Sequence, residues 1–256
     1  MNKKQIVPWI VPWIVPLLLL ISWQLSSQFG MLSSRVLPNP VDVFKAAVDL
    51  AKSGQLLEYI GTSSKRAVIG FLIGGGIGFA LGMLNGLSKV SESLLDSSLQ
   101  MIRNIPHLAL IPIVILWFGI EEEAKLFLVA LGTFFPVYLN TFHGIRSIEK
   151  PLIEMGDVYG LKGFSLFWNV ILPGALPSIL VGVRYSIGIT WVTLIVAETI
   201  SANSGIGYMA MNAREFMRLD IVVLSIILYA LLGKLSDLIA KIAEKRFLKW
   251  HPSYQK

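Results

Sequence analysis

The sequence predicts an all-α membrane protein with six transmembrane helices, and composition and run length are the observations that predict it. Of its 256 residues, 54% are hydrophobic and only 15% are charged. The mean hydropathy of +0.67 is unusual for a soluble domain. A helix needs about 20 apolar residues to cross the hydrocarbon of a bilayer, and six runs approach that length. Their approximate limits are Ile6 to Leu25, Ala67 to Leu87, Ile105 to Ile120, Leu126 to Phe142, Ile179 to Ala197 and Ile221 to Leu238.

The first 30 residues form the predicted N-terminal transmembrane segment, 1–30. A basic start at Lys3 and Lys4 followed by an apolar run also occurs in secretory signal peptides, but no clear cleavage site follows. We therefore interpret the run as an uncleaved anchor. The prolines in this run are Pro8, Pro12 and Pro16, and because they remove backbone donors they predict an irregular or interfacial end.

The predicted external loop at 31–64 contains an amphipathic helix. Asn39 suits a helix N-cap, Pro40 suits the first helical position and Gly54 suits a C-terminal stop. The apolar residues that share one face are Phe44, Ala47, Val48 and Ala51. We interpret this helix as lying on the membrane or on the helix bundle rather than as a binding site.

The second apolar run has a glycine at every fourth position. These glycines are Gly70, Gly74, Gly78, Gly82 and Gly86. Because small residues let helix backbones approach closely, the stripe predicts a helix–helix contact. Its spacing and surroundings do not fit a dinucleotide-binding loop. The sequence G-x-x-x-x-G-K-[ST] is also missing, so this chain has no P-loop with which to hydrolyse ATP.

The segment 145–178, between the fourth and fifth runs, combines charges, glycines, prolines and aromatic residues. Pro151 predicts a helix start, and Gly160 predicts the end of that helix. A second short helix is expected from about Phe164 to Val170, ended by the Leu-Pro-Gly sequence at 172–174. The apolar side chains on one face suit a groove in another protein, although a membrane-surface linker explains this pattern equally well.

This segment resembles the EAA loop of ABC-importer permeases, whose pattern is E-A-A, three residues, G, nine residues and I-x-L-P. The residues at the positions of the pattern are Glu154, Met155, Gly156, Gly160, Val170, Leu172 and Pro173. Three of them depart from it, because Met155 and Gly156 replace the alanines and Val170 replaces the isoleucine. The resemblance implies that this segment, with Tyr159, docks in a cleft of a cytoplasmic ATPase and couples its hydrolysis to the helices of this chain.

Longer stretches resemble the nitrate, taurine and aliphatic sulfonate permease group, with the aliphatic sulfonate permeases nearest. They are MIRNIPHLALIPIVILWFGI, ALGTFFPVYLNTFHGI and IVAETISANSGIGYMAMNARE. The resemblance covers the chain from about Leu37 and implies a permease core at 65–240. It also implies partners: a second copy of the chain as a homodimer, two ATPase subunits that bind the ATP, and an external substrate-binding protein. Taurine and nitrate remain alternative cargoes.

Basic residues near the ends of the runs predict the orientation, because Lys and Arg are retained on the cytoplasmic side. The N-terminal lysines, the basic tail at 241–256 and the segment 145–178 place both termini and that segment in the cytoplasm. The basic residues that count against this orientation are Lys45, Lys52, Lys65 and Arg66. The predicted localisation is the cytoplasmic (inner) membrane, multi-pass. The net charge of +6 suits lipid headgroups, so no nucleic-acid partner is expected.

Polar residues in or beside the predicted spans are candidates for the transport path, because a buried charge usually faces an aqueous cavity. The candidates are Arg103, Asn104, His107, Arg184 and Glu198. Structural alternatives exist for three of them. Arg184 can snorkel or pair with a neighbour, and His107 can be a packing residue. Glu198 can fix the external turn together with Asn203 and Arg214.

Two other classes of protein are alternatives to an ABC permease. An ion-driven secondary transporter typically has internal repeats and mid-span carboxylates, and an intramembrane enzyme needs clustered His, Asp or Glu within spans. The sequence shows no convincing example of either pattern, and it contains no cysteine that could act as a nucleophile or metal ligand. We therefore expect no catalytic site, no metal and no cofactor on this chain.

Overall fold

The computed structural model describes residues 3–30 and 37–251, and this part of the chain is helical apart from turns. Its helices are α1 (Lys3–Gln28), α2 (Pro40–Lys52), α3 (Gln55–Leu87), α4 (Lys89–Arg103), α5 (Ile111–Phe118), α6 (Glu122–Arg146), α7 (Lys150–Val158), α8 (Gly163–Leu166), α9 (Leu172–Ser201), α10 (Ile206–Glu215) and α11 (Leu219–Phe247). A 3₁₀ turn, His107–Leu110, precedes α5, and a π-helical turn, Phe167–Ile171, joins α8 to α9. The predicted all-α class is confirmed.

Four helical stretches in the described residues are long and apolar enough to cross a membrane. They are α3, α6, α11 and the continuous stretch Gly163–Ile200. A fifth is present if α4 and His107–Phe118, which are bent by 80° relative to each other, together form one span. The stretch Ile14–Gln28 of α1 is apolar but shorter than these. Six spans therefore stays a prediction.

The third predicted run, Ile105 to Ile120, is not a single helix. Pro106 disfavours helical geometry at the residue before it, so α4 ends and the chain turns through the 3₁₀ segment. Pro112 lies in the first turn of α5, where proline is tolerated. The sequence did not predict α4, because its serines and charged residues lower the hydropathy that identifies spans.

The spanning helices extend beyond their apolar runs. α3 begins at Gln55 rather than at Ala67, so the predicted boundary after residue 64 falls inside a helix. α6 and α11 likewise continue into charged residues, ending at Arg146 and Phe247. Hydropathy detects only the part of a helix that lies in hydrocarbon, so polar helix ends escape it.

The Leu-Pro-Gly sequence at 172–174 does not end a helix, contrary to the prediction. The helix continues from Gly163 to Ile200 through α8, the π turn and α9. In a regular α-helix the ring of Pro173 would clash with the carbonyl four residues earlier. The wider π turn directly before α9 supplies the space for it. The second short helix predicted here is therefore the first part of the same helix that contains the fifth predicted span.

The N-terminal helix α1 differs from its prediction. α1 is continuous through all three prolines, so the expected irregular backbone is wrong. Because these prolines are four residues apart, the lost hydrogen bonds lie on one face while the rest of the ladder continues. In the predicted loop and tail, residues 31–36 and 252–256 lie outside the described part.

α2 has the predicted limits but packs on a different face. The side chain of Asn39 accepts a hydrogen bond from the N–H of Asp42 at 2.8 Å, which is the predicted N-cap. The helix ends before Gly54, whose φ is +79°. Val43 and Ala46 are buried against the bundle, whereas Phe44 is 69% exposed. The predicted apolar face is therefore not the one that contacts the bundle.

The glycine stripe forms a close helix–helix contact, as predicted, and its partner is α6. A methyl group at Gly74 or Gly78 would overlap a backbone carbonyl oxygen of α6, and a Cβ at Gly82 would lie 2.7 Å from the carbonyl oxygen of Tyr138. On its other side α6 meets α9, where a Cβ at Gly182 would lie 2.8 Å from the carbonyl oxygen of Pro136. The three helices thus form the centre of the bundle through backbone-to-backbone contacts.

Candidate functional site

The segment 145–178 begins with α7 and a tight turn. Gly160 has a φ of +78°, a conformation that glycine adopts readily. Its N–H donates to the carbonyl of Asp157, and the N–H of Leu161 donates to the carbonyl of Gly156, both at 2.9 Å. These two bonds form a Schellman motif, which ends a helix and reverses the chain. The prediction that Gly160 ends this helix is confirmed.

The turn brings α7 back onto the start of the long helix. Gly156 is buried, and a Cβ there would lie 2.6 Å from Cδ1 of Leu166 and 3.3 Å from Cγ2 of Val170. This close contact explains why glycine replaces the second alanine of the EAA pattern. Leu172 and Pro173 are half-buried at the base of the segment, and Leu172 packs against a small apolar cluster there.

The outer side of this segment carries an exposed apolar surface, which we call the α7 patch. It consists of Leu152, Met155, Val158, Tyr159, Phe164 and Trp168. Tyr159 and Phe164 are each 78% exposed, and the rings of Phe164 and Trp168 stack with centroids 6.1 Å apart. Glu154 is exposed on the same helix. Large apolar side chains grouped on a surface are typical of a protein interaction site.

The structure therefore divides the predicted docking residues into two groups. Glu154, Met155 and Tyr159 are exposed and available to a partner, and Gly160 forms the turn beside them. Of the others, Gly156 packs α7 on the long helix, and Leu172 and Pro173 are half-buried at the base of the segment. Sequence reasoning omitted Val158, which is 86% exposed. Its position three residues after Met155, on the same side of the helix, was the available signal.

A cavity of about 530 Å³ opens along one face of α9, and we call it the α9 cavity. Its lining is His107, Leu108, Val181, Arg184, Tyr185, Gly188, Ile189, Val192, Thr193, Asp237 and Glu244. Nε2 of His107 lies 3.3 Å from Oγ1 of Thr193. Among the described residues, no group of His, Asp or Glu is arranged to hold a metal ion.

Arg184 is paired with α11 rather than left as an isolated charge. Its Nε donates to Oδ1 of Asp237 at 2.7 Å, and its Nη1 lies 3.7 Å from Oε2 of Glu244. One guanidinium therefore faces two carboxylates, so these three side chains present no net positive charge to the cavity. The predicted alternative, in which Arg184 pairs with a neighbour, is confirmed.

The other predicted path residues lie in different places. Arg103 and Asn104 are exposed at the end of α4, and both hydrogen-bond to Gln100. Only His107 and Arg184 are brought together on the α9 cavity. Glu198 lies about 21 Å further along α9 than Arg184, at 1.5 Å per residue, and it is not part of the cavity lining.

Glu198 is the centre of a buried cluster. Its carboxylate, 1% exposed, accepts hydrogen bonds from four donors. They are Oγ of Ser63 at 2.8 Å, Nη1 of Arg66 at 2.8 Å, the N–H of Gly207 at 2.9 Å and the hydroxyl of Tyr229 at 2.9 Å. Arg66 also donates to Glu122 at 2.7 Å. We call Ser63, Arg66, Glu122, Glu198 and Tyr229 the Glu198 cluster.

The predicted partners of Glu198 were different. Asn203 and Arg214 are both exposed, and the arginine that binds Glu198 is Arg66. Sequence reasoning treated Arg66 only as a basic residue near a loop. Its position in a long helix that continues into an apolar run was a signal for a buried ion pair.

Comparison with known families gives the class of the protein. Residues 73–249 match the family described as binding-protein-dependent transport system inner membrane component. The chain belongs to this family and is the membrane permease subunit of an ABC-type importer. This membership removes the secondary transporter and the intramembrane enzyme as alternatives.

Individual relatives are closely similar over almost the whole chain. The putative aliphatic sulfonates transport permease protein SsuC of Escherichia coli (strain K12) is 60% identical over 91% of this chain and 88% of its own length. The protein of the same name in Bacillus subtilis (strain 168) is 44% identical over 96% of this chain and 90% of its own length. The fold is similar to a chain of the MetNI methionine ABC transporter in an inward-facing conformation. That match has a TM-score of 0.54 and 18% identity, and covers 74% of this chain and 94% of that chain.

Proposed function

We propose that this permease carries aliphatic sulfonates inward across the cytoplasmic membrane, driven by ATP hydrolysis on partner subunits. The observation that carries the cargo proposal is the 60% identity to a putative aliphatic sulfonates permease over 91% of the chain. The α9 cavity is chemically compatible with such a cargo. The surface of the cavity is mostly apolar, with Leu108, Val181, Ile189 and Val192 in its lining, and this suits an alkyl tail. The side chains of His107, Tyr185 and Thr193 in the same lining offer hydrogen bonds without a fixed charge.

We propose that the α7 patch docks in a cleft of the ATPase. The patch combines α7, the turn after it and the first residues of the helix Gly163–Ile200, so its exposed rings belong to a helix–turn–helix surface. Such a surface suits a groove in a partner protein. Glu154 lies beside it and offers a charge for pairing with a basic partner. Two ATPase subunits would then be needed, one for each permease copy.

The α9 cavity supports a homodimer as the working unit. Val181, Tyr185 and Val192 line the cavity from one face of α9 and are 53%, 65% and 61% exposed. An exposed stripe on the helix that is central to the bundle is suited to contact with a second copy. Two copies would enclose the cavity between them, and rocking of one against the other would give alternating access.

The cargo does not require a strong positive charge in this cavity. Arg184 is neutralised by Asp237 and Glu244, so it is not a free site for an anion. A separate binding protein would select the sulfonate outside the membrane. The permease then needs only a weakly binding path that releases the cargo on the other side.

Helix direction supports one shared side of the membrane for the α7 patch and the end of α11, and the basic residues favour the cytoplasmic side. α9 and α11 are antiparallel, because Glu198 contacts Tyr229 while Arg184 contacts Asp237. The end of α11 therefore lies on the same side as the start of α9. We expect reporter fusions at Lys150 and Lys256 to be cytoplasmic and a fusion at Gly54 to be external. A cytoplasmic signal at Gly54 would mean that α1 does not cross the membrane.

A growth experiment tests the cargo. Deletion of the gene, in a strain with no second sulfonate uptake system, should abolish growth on alkanesulfonates as sole sulfur source and leave growth on sulfate intact. Complementation with the wild-type gene is the control. Normal growth on alkanesulfonates together with loss of taurine or nitrate uptake would overturn the sulfonate assignment and keep the permease assignment.

A further inference from the structure

Four helices meet at the buried carboxylate of Glu198, and a fifth joins them through Arg66. α3 contributes Ser63 and Arg66, α11 contributes Tyr229 and α10 contributes the N–H of Gly207, while α9 carries Glu198 itself. α6 joins through Glu122, which binds the other edge of the Arg66 guanidinium. The cluster thus links α10 to the helices that form the centre of the bundle.

The backbone between α9 and α10 is shaped around this ion pair. Gly205 has a φ of +107°, and a Cβ there would lie 2.5 Å from Oε1 of Glu198 and 2.7 Å from Nη1 of Arg66. A Cβ at Gly207 would lie 2.5 Å from Cβ of Glu198. Arg66 also donates to the carbonyl of Ser204 at 2.6 Å. Glycine at both positions lets the turn close onto the two side chains.

The first turn of α10 depends on the same groups. The first backbone N–H groups of a helix have no partner within the helix. In α10, the N–H of Ile206 donates to Oγ of Ser63 at 2.8 Å, and that of Gly207 donates to Oε2 of Glu198 at 2.9 Å. The start of α10 is therefore held by side chains of α3 and α9.

Burying two charges is costly, and an apolar pair of similar size would often be at least as stable. An ion pair in such a place is best explained by the geometry that it imposes. Arg66 and Glu198 are 3% and 1% exposed, and their bonds fix the α9–α10 turn from several directions. Apolar contacts would allow this turn to slide.

We propose that Arg66 and Glu198 are positioning residues of the transport cycle. They fix the α9–α10 turn and α10 to α3 and α9, so that this end of the permease moves as one body with α9. Motion imposed at the α7 patch then reaches the far end of the molecule. The identification of the α7 patch as the ATPase contact rests on the proposed function.

Hydrogen exchange tests the structural part of this proposal without any transport assay. In the purified permease–ATPase complex, Glu198→Gln should speed exchange in peptides covering 202–210 by about tenfold, because a hydrogen bond to a charged group is lost. The matched control is Glu122→Gln, which removes the half-exposed carboxylate from the same arginine. This control variant should leave the exchange rates of those peptides unchanged. Unchanged exchange in Glu198→Gln would overturn the proposal.

Hydrolysis in proteoliposomes tests the coupling part. With Glu198→Gln, the maximal rate of ATP hydrolysis stimulated by sulfonate-loaded binding protein should fall roughly tenfold, a typical effect for residues that carry coupling between sites. Basal hydrolysis and the binding-protein concentration for half-maximal stimulation should be unchanged. An equal fall in basal and stimulated rates would instead indicate a merely structural role and overturn the proposal.

A graded pair of variants covers the case in which Glu198→Gln does not assemble. Tyr229→Phe removes one donor to Glu198, and Ser63→Ala removes one donor together with the acceptor of the Ile206 N–H. Both variants keep both charges, so they should give intermediate changes in exchange and stimulation. Wild-type behaviour of both variants in both measurements would overturn the proposal. If the wild-type complex is not stimulated by the loaded binding protein, the proposed function fails, and the exchange experiment still tests whether the cluster holds α10.

Discussion

The two ends of α9 have opposite surroundings. At its start, the α7 patch exposes large apolar and aromatic side chains, and α7 packs on the long helix through the buried Gly156. Near its far end, Glu198 is buried with four donors in a cluster that involves five helices. One end exposes its apolar side chains, and the other satisfies its own polar groups. Substitutions at the first should affect assembly and coupling, and substitutions at the second should affect the permease itself.

The largest effect on stability is expected at the end of α9 that carries Glu198. Glu198→Ala removes the buried partner of Arg66 and leaves the donors on Ser63, Gly207 and Tyr229 without their shared acceptor. This should lower the free energy of unfolding by roughly 3–5 kcal/mol. Thermal unfolding of the purified permease in detergent measures this. Glu122→Ala removes the exposed partner of the same arginine and should cost about 1 kcal/mol or less. Similar losses for the two variants would show that the buried carboxylate contributes no more to stability than the exposed one.

At the α7 patch, a substitution that changes the charge should weaken binding to the ATPase and leave the fold of the permease intact. Tyr159→Asp and Glu154→Lys alter exposed side chains, so the unfolding temperature of the permease should not change. Binding to the ATPase should weaken by about 2 kcal/mol or more if these side chains lie at the centre of the interface. Pull-down of the ATPase and transport-coupled hydrolysis in the reconstituted complex provide the measurements. Normal coupled hydrolysis in both variants would show that this surface is not the docking site.

A smaller effect is expected at the turn that supports the α7 patch. Gly160→Val forces a β-branched residue into a left-handed conformation, which should cost about 1–2 kcal/mol locally. The patch would then be misplaced, while membrane insertion and the α3–α6 contact should survive. Coupled hydrolysis should fall more than stability does. Gly160→Asn is the matched control, because asparagine tolerates this conformation better, and it should retain more activity than valine.

Several features were predictable because they depend on local pattern. The four-residue glycine repeat of α3 leads directly to its packing on α6. The N-cap Asn39 and the stop at Gly160 follow from local backbone chemistry, which does not depend on distant residues. The all-α class follows from run length and composition.

The rest depends on contacts that a single sequence does not reveal. Arg66 and Glu198 are 132 positions apart, and the Arg184 side chain meets a partner 53 positions away, so neither pair has a local signal. α4 was missed because an amphipathic helix with many serines has low hydropathy. The continuity through Pro173 was missed because the rule that proline ends a helix ignores a preceding π turn.

The continuous helix from Gly163 to Ile200 has a mechanical consequence. Its 38 residues form a rod about 57 Å long at 1.5 Å per residue. Because no loop interrupts the rod at Leu-Pro-Gly, the patch residues Phe164 and Trp168 and the buried Glu198 belong to the same lever. If such a rod pivots at one end, a tilt of about 5° displaces the other end by roughly 5 Å, about the pitch of one helical turn. If a partner docks at the aromatic rings as proposed, a small movement there would displace the Glu198 end of the helix by about one helical turn.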